Sequence, residues 1–354
     1  MKTMPQSPEL ELQNTLRNLI PAHDTALDSL AAWIEAYFQF EDSTAESSRK
    51  VKRRDLALFL AFVIEENGHD RRQDWTPRLS RAFKDRLRKE LTPSGNRRWG
   101  DRTINRILAH VKVFAKWVHK HRPFPLGNPT DKIKLVPTAS AMLVERALTP
   151  TEKRRMLDAA DLLVETGGRS KDRHRYRQVQ QRPRRKNYRP YRNRAIIYTF
   201  IGTGIRRAEL ARLQLDKVDF QRERIQVIKK GGEEHTPWIR REALEAIQEY
   251  LDHERPGDAE HFDSPMVFLP ASGTQNKTGQ LSVQAINRIW NHVCDVAGVD
   301  PSKTPHSARH AMGKDLADKL GIAATQTQLG HKNIASTVAY NRPSDHEMKG
   351  AINP

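Results

Sequence analysis

Six side chains in the C-terminal part of this 354-residue chain are of types that suit the breaking of a phosphodiester. In chain order they are Arg206 in TGIRRAEL, Lys230 in KKGGEE, His306 and Arg309 in TPHSARH, His331 in LGH and Tyr340 in STVAY. A phosphoryl transition state spreads negative charge over its non-bridging oxygens, and two guanidiniums can bind those oxygens bidentately. A hydroxyl nucleophile has to lose a proton and the leaving oxygen has to gain one; imidazole and ammonium groups carry out such transfers. A tyrosine hydroxyl ordinarily ionises near pH ~10, and two neighbouring arginines are expected to favour its phenolate. The usual metal and phosphate-loop signatures do not occur. There is no H-E-x-x-H, C-x-x-C or G-x-x-x-x-G-K-[ST], and Gly202-x-Gly204 lacks the third glycine of a dinucleotide fingerprint.

Something has to hold these residues, and composition bounds what. Net charge is +18 with a pI near 10.1; apolar residues make up 37% and charged residues 29%. That balance fits a folded chain with an anionic partner, nucleic acid first among them. The single cysteine, Cys294, excludes an intramolecular disulfide and a cysteine zinc site, and it falls on an apolar helix face as a core residue. The longest apolar run, Leu56–Ile64, is nine residues, against the ~18–20 needed to span a bilayer. The N-terminal MKTMPQSPELELQ has no signal-peptide core. These features imply no membrane association and a protein of a reducing compartment, expected to be cytoplasmic.

Periodicity predicts helices first. Ser29–Phe38 and Arg49–Glu66 carry apolar residues at helical spacing, with Gly68 as a stop. Thr76-Pro77 opens a third helix, and Asp101 caps a fourth that ends at Arg122-Pro123. After a proline-spaced stretch, helical structure restarts at Leu148-Thr149-Pro150. RIQVI (224–228) and HTPWI (235–239) read as a hairpin, followed by helices at about 241–254, 282–297, 306–320, 323–329 and 333–341. The expected division is a tail at 1–24, a four-helix domain at 25–122, a linker at 123–147 and a mainly α domain with a small antiparallel β-sheet at 148–354. Gly167–Arg194 stands out as a basic insertion, with twelve cations, one acid (Asp172) and tyrosines between them.

In its motifs the chain resembles the tyrosine recombinase, or phage-integrase, family of site-specific DNA recombinases over about 148–342. TGIRRAEL looks like that family's TGxRxxEL box, the hairpin lysine falls on Lys230 with Lys229 where glycine is usual, TPHSARH supplies HxxR, and Tyr340 follows LGH by nine residues. H-x-x-R alone says little, because it recurs at His69–Arg72, His119–Arg122 and His174–Arg177, read as surface pairs. The resemblance implies an N-terminal core-binding domain, a catalytic domain, no cofactor, and a homo-tetramer on two double-stranded DNA sites, nucleoid-associated when on DNA. It also implies the roles. Tyr340 attacks phosphorus to give a 3′-phosphotyrosyl link and a 5′-hydroxyl. Arg206 and Arg309 stabilise the phosphorane, Lys230 protonates the leaving oxygen, His306 acts as acid/base toward Tyr340, and His331 bonds the phosphate. Glu209 is read as a structural carboxylate beside Arg206. Service in integration or excision of a mobile element is the expected use.

For DNA contact the candidates are Lys50, Lys52, Arg53, Arg54, Arg97, Arg98 and Arg102 in the first domain, and Arg182, Arg184, Arg185 and Lys186 in the insertion. By resemblance, the two domains clamp a duplex. The fourteen residues after Tyr340 are short and weakly apolar for the exchange of C-terminal segments seen in relatives. Two other readings share features: a relaxing topoisomerase or telomere resolvase with the same chemistry, and a non-enzymatic DNA-binding protein. The second predicts an eroded catalytic set, yet all six positions are filled.

Overall fold

The computed structural model describes residues 28–41, 45–138, 146–167, 187–229, 231–272, 278–338 and 340, with single positions 349, 352 and 353. The chain divides into two compact units, Met1–Ser140 and Ala141–Pro354.

In the first unit the expected helices are α1 (Leu30–Phe40), α2 (Glu46–Asn67), α3 (Pro77–Lys89) and α4 (Asp101–His121). Their ends follow local chemistry. The Ser29 and Thr76 side chains accept from Ala32 N and Leu79 N, Pro77 takes the first turn of α3, and Gly68 closes α2 at φ 76°. Gly100 rather than Asp101 caps α4, where Asp101 is instead the first helical residue and pairs with Arg97. The core is aromatic: Trp33, Tyr37, Phe59, Trp75, Phe83, Phe114 and Trp117 interlock, mostly edge to face. On α2 the buried face takes Phe62 and leaves Ile64 45% exposed. Asp55 of α2 is fully enclosed and receives Arg106 bidentately at 2.9 and 3.0 Å and His110 at 2.8 Å, tying α4 to α2. Residues 123–138, expected as linker, pack here instead: Phe124, Ile133 and Val136 are core residues. Arg72 is not a surface residue either. It is 4% exposed, with its Nε donating to Asp28 and its Nη1 to the carbonyl of Pro123.

The second unit is built around α6 (Pro190–Thr203), buried on nearly every side. It is covered by α5 (Pro150–Glu165), α8 (Arg241–His253), α10 (Val283–Ala297) and α11 (Pro305–Leu329). Short elements complete the unit: α7 (Arg207–Leu210), α9 (Arg255–Ala259) and α12 (Ala335–Val338). Two antiparallel pairs lie between α7 and α8. β1 (Val218–Asp219) pairs with β2 (Arg224–Ile225), with Val218 opposite Ile225. β3 (Val227–Ile228) pairs with β4 (Glu234–His235), with Val227 opposite His235. The mainly α class therefore holds, with two small sheets where one was expected. Gly321, at φ 81° and ψ −178°, interrupts α11, as the two expected helices 306–320 and 323–329 require. Cys294 is buried, and desolvation pushes its thiol up to about 11.

The basic insertion is shorter than expected. Residues 168–186, including Arg182, Arg184, Arg185 and Lys186, lie outside the described residues. The last three cations of 167–194 belong to the folded unit. Arg189 pairs with buried Asp258 at 2.7 Å, Arg192 is buried with Nη1 on the Leu269 carbonyl, and Arg194 pairs with Asp161 and Glu249. Among the described residues, no helix is long and apolar enough to cross a membrane.

Candidate active site

Two tight helix ends create the site. α6 stops at Gly204, whose φ of +71° suits glycine, and the chain turns at once into Arg206, the residue that caps α7. A Cβ on Gly204 would stand 3.0 Å from Leu329 Cδ2 and 3.1 Å from Met312 Cβ, so this turn lies directly against α11. Arg206 is fixed by Glu209: its backbone N–H donates to Oε2 (2.7 Å) and its Nη1 to Oε1 (2.8 Å). Glu209 is 4% exposed and acts as the structural carboxylate expected of it.

Arg309 lies one turn into α11 and is 3% exposed. Its Nη1 donates to the Gly204 carbonyl (2.8 Å) and its Nη2 to the Leu329 carbonyl (2.6 Å). Burial, followed by the charge of Arg206, lowers its pKa to about 10, which leaves it a cation at neutral pH.

Tyr340 is 3% exposed and its ring packs near two imidazoles. The His331 ring is nearly parallel to it at 6.1 Å (15°), and the His310 ring sits at 5.7 Å. Its Oη is 2.9 Å from His310 Nδ1. His306, expected as the acid/base toward Tyr340, lies one turn earlier on an exposed rim, with its ring 5.5 Å from that of His310. His310, which follows Arg309 in the motif, therefore holds the hydroxyl. The phenol also differs from expectation. Burial raises its pKa and outweighs the opposite pull of Arg309 and Arg206. Desolvation, then the cations Arg309 and Arg206, keeps His331 near 4, and its Nδ1 is 3.0 Å from Thr337 Oγ1. His306 is also lowered, by desolvation and then by Arg309, Arg206 and Arg207.

Three positioning residues carry no motif signal of their own. Gln328 joins three segments. Its Oε1 accepts from Trp238 N, its Nε2 donates to the Thr203 and Trp238 carbonyls, and its own carbonyl meets His235 Nε2 at 2.9 Å. His235 in turn lies against Gly330, where a Cβ would come within 3.0 Å of the imidazole. Gly313 faces the nucleophile: a Cβ there would sit 2.8 Å from Tyr340 Cε2 and 2.9 Å from Cζ. Gly313→Ala must therefore displace the ring, and a shift near 1 Å at reacting atoms costs on the order of 10²-fold in rate. We expect that loss in covalent-complex formation with DNA affinity within twofold of wild type, measured by denaturing gel and by anisotropy.

Of the hairpin lysines, Lys230 lies outside the described residues. Lys229 is buried, with its Nζ 2.7 Å from Glu233 Oε1 and 3.4 Å from the Gly330 carbonyl. Lys332 takes the other oxygen of Glu233, and hydrogen bonds from the two lysines hold that carboxyl near 2. In the first unit, Arg53 pairs with Glu35 and covers Phe38, Lys52 reaches Tyr37, Arg97 pairs with Asp101, and Arg98 pairs with Glu90. Lys50, Arg54 and Arg102 are exposed.

The model of the phage integrase family matches residues 151–347. The chain is 26% identical over 324 residues to the tyrosine recombinase XerC of Syntrophus aciditrophicus (strain SB), covering 91% of this chain and 95% of that protein. It is 25% identical to tyrosine recombinase XerC of Chlamydia trachomatis over 278 residues, covering 78% of each. Among solved structures, the fold is similar to that of the XerH site-specific recombinase bound to its palindromic difH substrate (TM-score 0.64, 14% identity, 99% of this chain and 89% of that one). It is also similar to that of the Tn1549 transposon integrase in complex with circular intermediate DNA (TM-score 0.62, 15% identity, 92% and 99%).

Proposed function

Since the chain belongs to the phage integrase family, and is by that membership a tyrosine-type site-specific recombinase, we propose that it cleaves and rejoins DNA through a 3′-phosphotyrosyl link at Tyr340. The carrying observation is the gathering of Arg206, Arg309, His331 and a hydrogen-bonded Tyr340 around the Gly204 turn. Arg309 and Arg206 bind the non-bridging oxygens, His331 donates to the same phosphate, and Lys230 delivers a proton to the leaving 5′-oxygen. The covalent link stores the phosphodiester energy, so rejoining to a partner strand needs neither ATP nor a metal. The protein works in the cytoplasm as a homo-tetramer on two DNA sites, in the integration or excision of a mobile element.

A two-site recombination assay run beside plasmid relaxation tests this reading. Recombinant product is expected; relaxation alone identifies a topoisomerase. Fragments bound by Tyr340→Phe and sequenced should map to the ends of an element.

The basic insertion adds affinity for the DNA backbone. Removing 169–186 deletes nine cations and spares Arg189, Arg192 and Arg194, which the fold uses internally. The slope of log K against log salt should flatten by about 0.9 for each phosphate that is no longer neutralised. An unchanged slope counts against a DNA role for this segment.

A further inference from the structure

We propose that His310, rather than His306, takes the proton from the nucleophile: Tyr340 Oη–H donates to His310 Nδ1, and the proton crosses as that oxygen closes on phosphorus. This rests on the reading of Tyr340 as the attacking group. The geometry is direct, since Oη and Nδ1 are 2.9 Å apart in a buried pocket. His306 stands one turn earlier and exposed, with its ring 5.5 Å from that of His310, which is the imidazole in contact with the phenol.

Proton removal is needed here because burial raises the phenol above its ordinary value. At neutral pH the hydroxyl therefore keeps its proton unless a neighbouring group takes it. His310 starts neutral. Desolvation, then His306, Arg309 and Arg146, holds it near 4, and the other ionisable rings around it are those of Tyr340 and His331. With that value it is a weak base while the site is empty. A phosphodiester arriving at Arg206 and Arg309 brings an anion beside the ring, which favours the imidazolium. Basicity therefore rises when DNA is seated, and the nucleophile is activated only then.

The step balances. The P–Oη bond forms and the P–O5′ bond breaks. The phenolic proton ends on His310 Nδ1, and the leaving O5′ takes a proton from Lys230 Nζ. On rejoining, the 5′-hydroxyl returns its proton to Lys230, and His310 gives its proton back to Tyr340.

The test is single-turnover covalent-adduct formation by the full chain on a nicked duplex carrying the site recovered with Tyr340→Phe, from pH 6 to 9.5. His310→Asn can keep a hydrogen bond where Nδ1 stands but has no basic nitrogen. His310→Ala removes both. Both should be slowed on the order of 10²-fold at pH 7. The deficit should shrink as pH rises and the phenol ionises unaided, and added imidazole should partly restore the alanine variant. A 5′-phosphorothiolate substrate, whose leaving group needs no proton, should restore neither. A His310→Asn rate within threefold of wild type overturns the proposal, and so does a deficit that is constant with pH or is cured by the phosphorothiolate. If the wild-type chain forms no adduct, or Tyr340→Phe does form one, the underlying assignment of the nucleophile fails instead.

Discussion

Tyr340→Phe should bind its DNA site with near wild-type affinity and form no denaturation-resistant adduct. The substitution removes one oxygen and leaves the ring. Packing against His331 and Gly313 persists, and the loss inside the protein is the single hydrogen bond to His310 Nδ1. Losing a buried hydrogen bond of this kind costs about 1–3 kcal/mol, within what a domain with a core of this size tolerates. The catalytic loss is complete, because the oxygen that would bond to phosphorus is gone. Denaturing electrophoresis on a nicked suicide substrate reads the adduct, and anisotropy reads binding. Adduct from the purified variant would show that another residue attacks.

Arg309→Lys should have the second-largest effect, and a compound one. The guanidinium spans the Gly204 and Leu329 carbonyls while standing beside Arg206. An ammonium is a point donor and cannot reproduce that fork. Cleavage should fall by about 10²–10³, the range for losing one transition-state donor. Stability should fall by about 1.5–3 kcal/mol from the lost charge-assisted bond. Arg206→Lys provides the contrast, since Arg206 is 38% exposed and rests on Glu209, so its melting temperature should hardly move. Equal loss of melting temperature in both variants would show that the two carbonyl bonds of Arg309 do not support the fold.

Much of this arrangement is legible in the chain itself. Helix ends are written in short-range chemistry such as Thr76-Pro77, Thr149 with Glu152, and Gly68, so these elements lie where periodicity and caps predict them. Five of the six candidate side chains fall among the described residues, and four of these, Arg206, Arg309, His331 and Tyr340, are linked around one turn. Other features depend on tertiary contact, which spacing does not encode. The β1–β2 pair has two residues a side, too few for alternation to register. Residues 123–138 look like a linker because four prolines break their periodicity, yet three apolar side chains among them are buried. The last cations of the insertion look like the rest until Asp258, Asp161 and Glu249 come to meet them from elsewhere in the sequence. The Tyr340 phenol illustrates a sign error built into sequence reasoning. Nearby cations are visible in a motif, whereas burial is not, and here burial is the larger effect.

The two carbonyls that hold Arg309 have one further property. Gly204 closes α6, and Leu329 is the last residue of α11, so both oxygens sit at helix C-termini. Aligned peptide dipoles leave roughly half a negative charge at such an end. Two ends converging on one guanidinium offset its buried charge with backbone alone. Among the described residues, the hydrogen-bond partners of the Arg309 guanidinium are these two carbonyls, while the neighbouring Glu209 carboxylate is engaged by Arg206. The partial counter-charge that Arg309 meets is fixed in the helices and does not have to be displaced when a phosphate arrives.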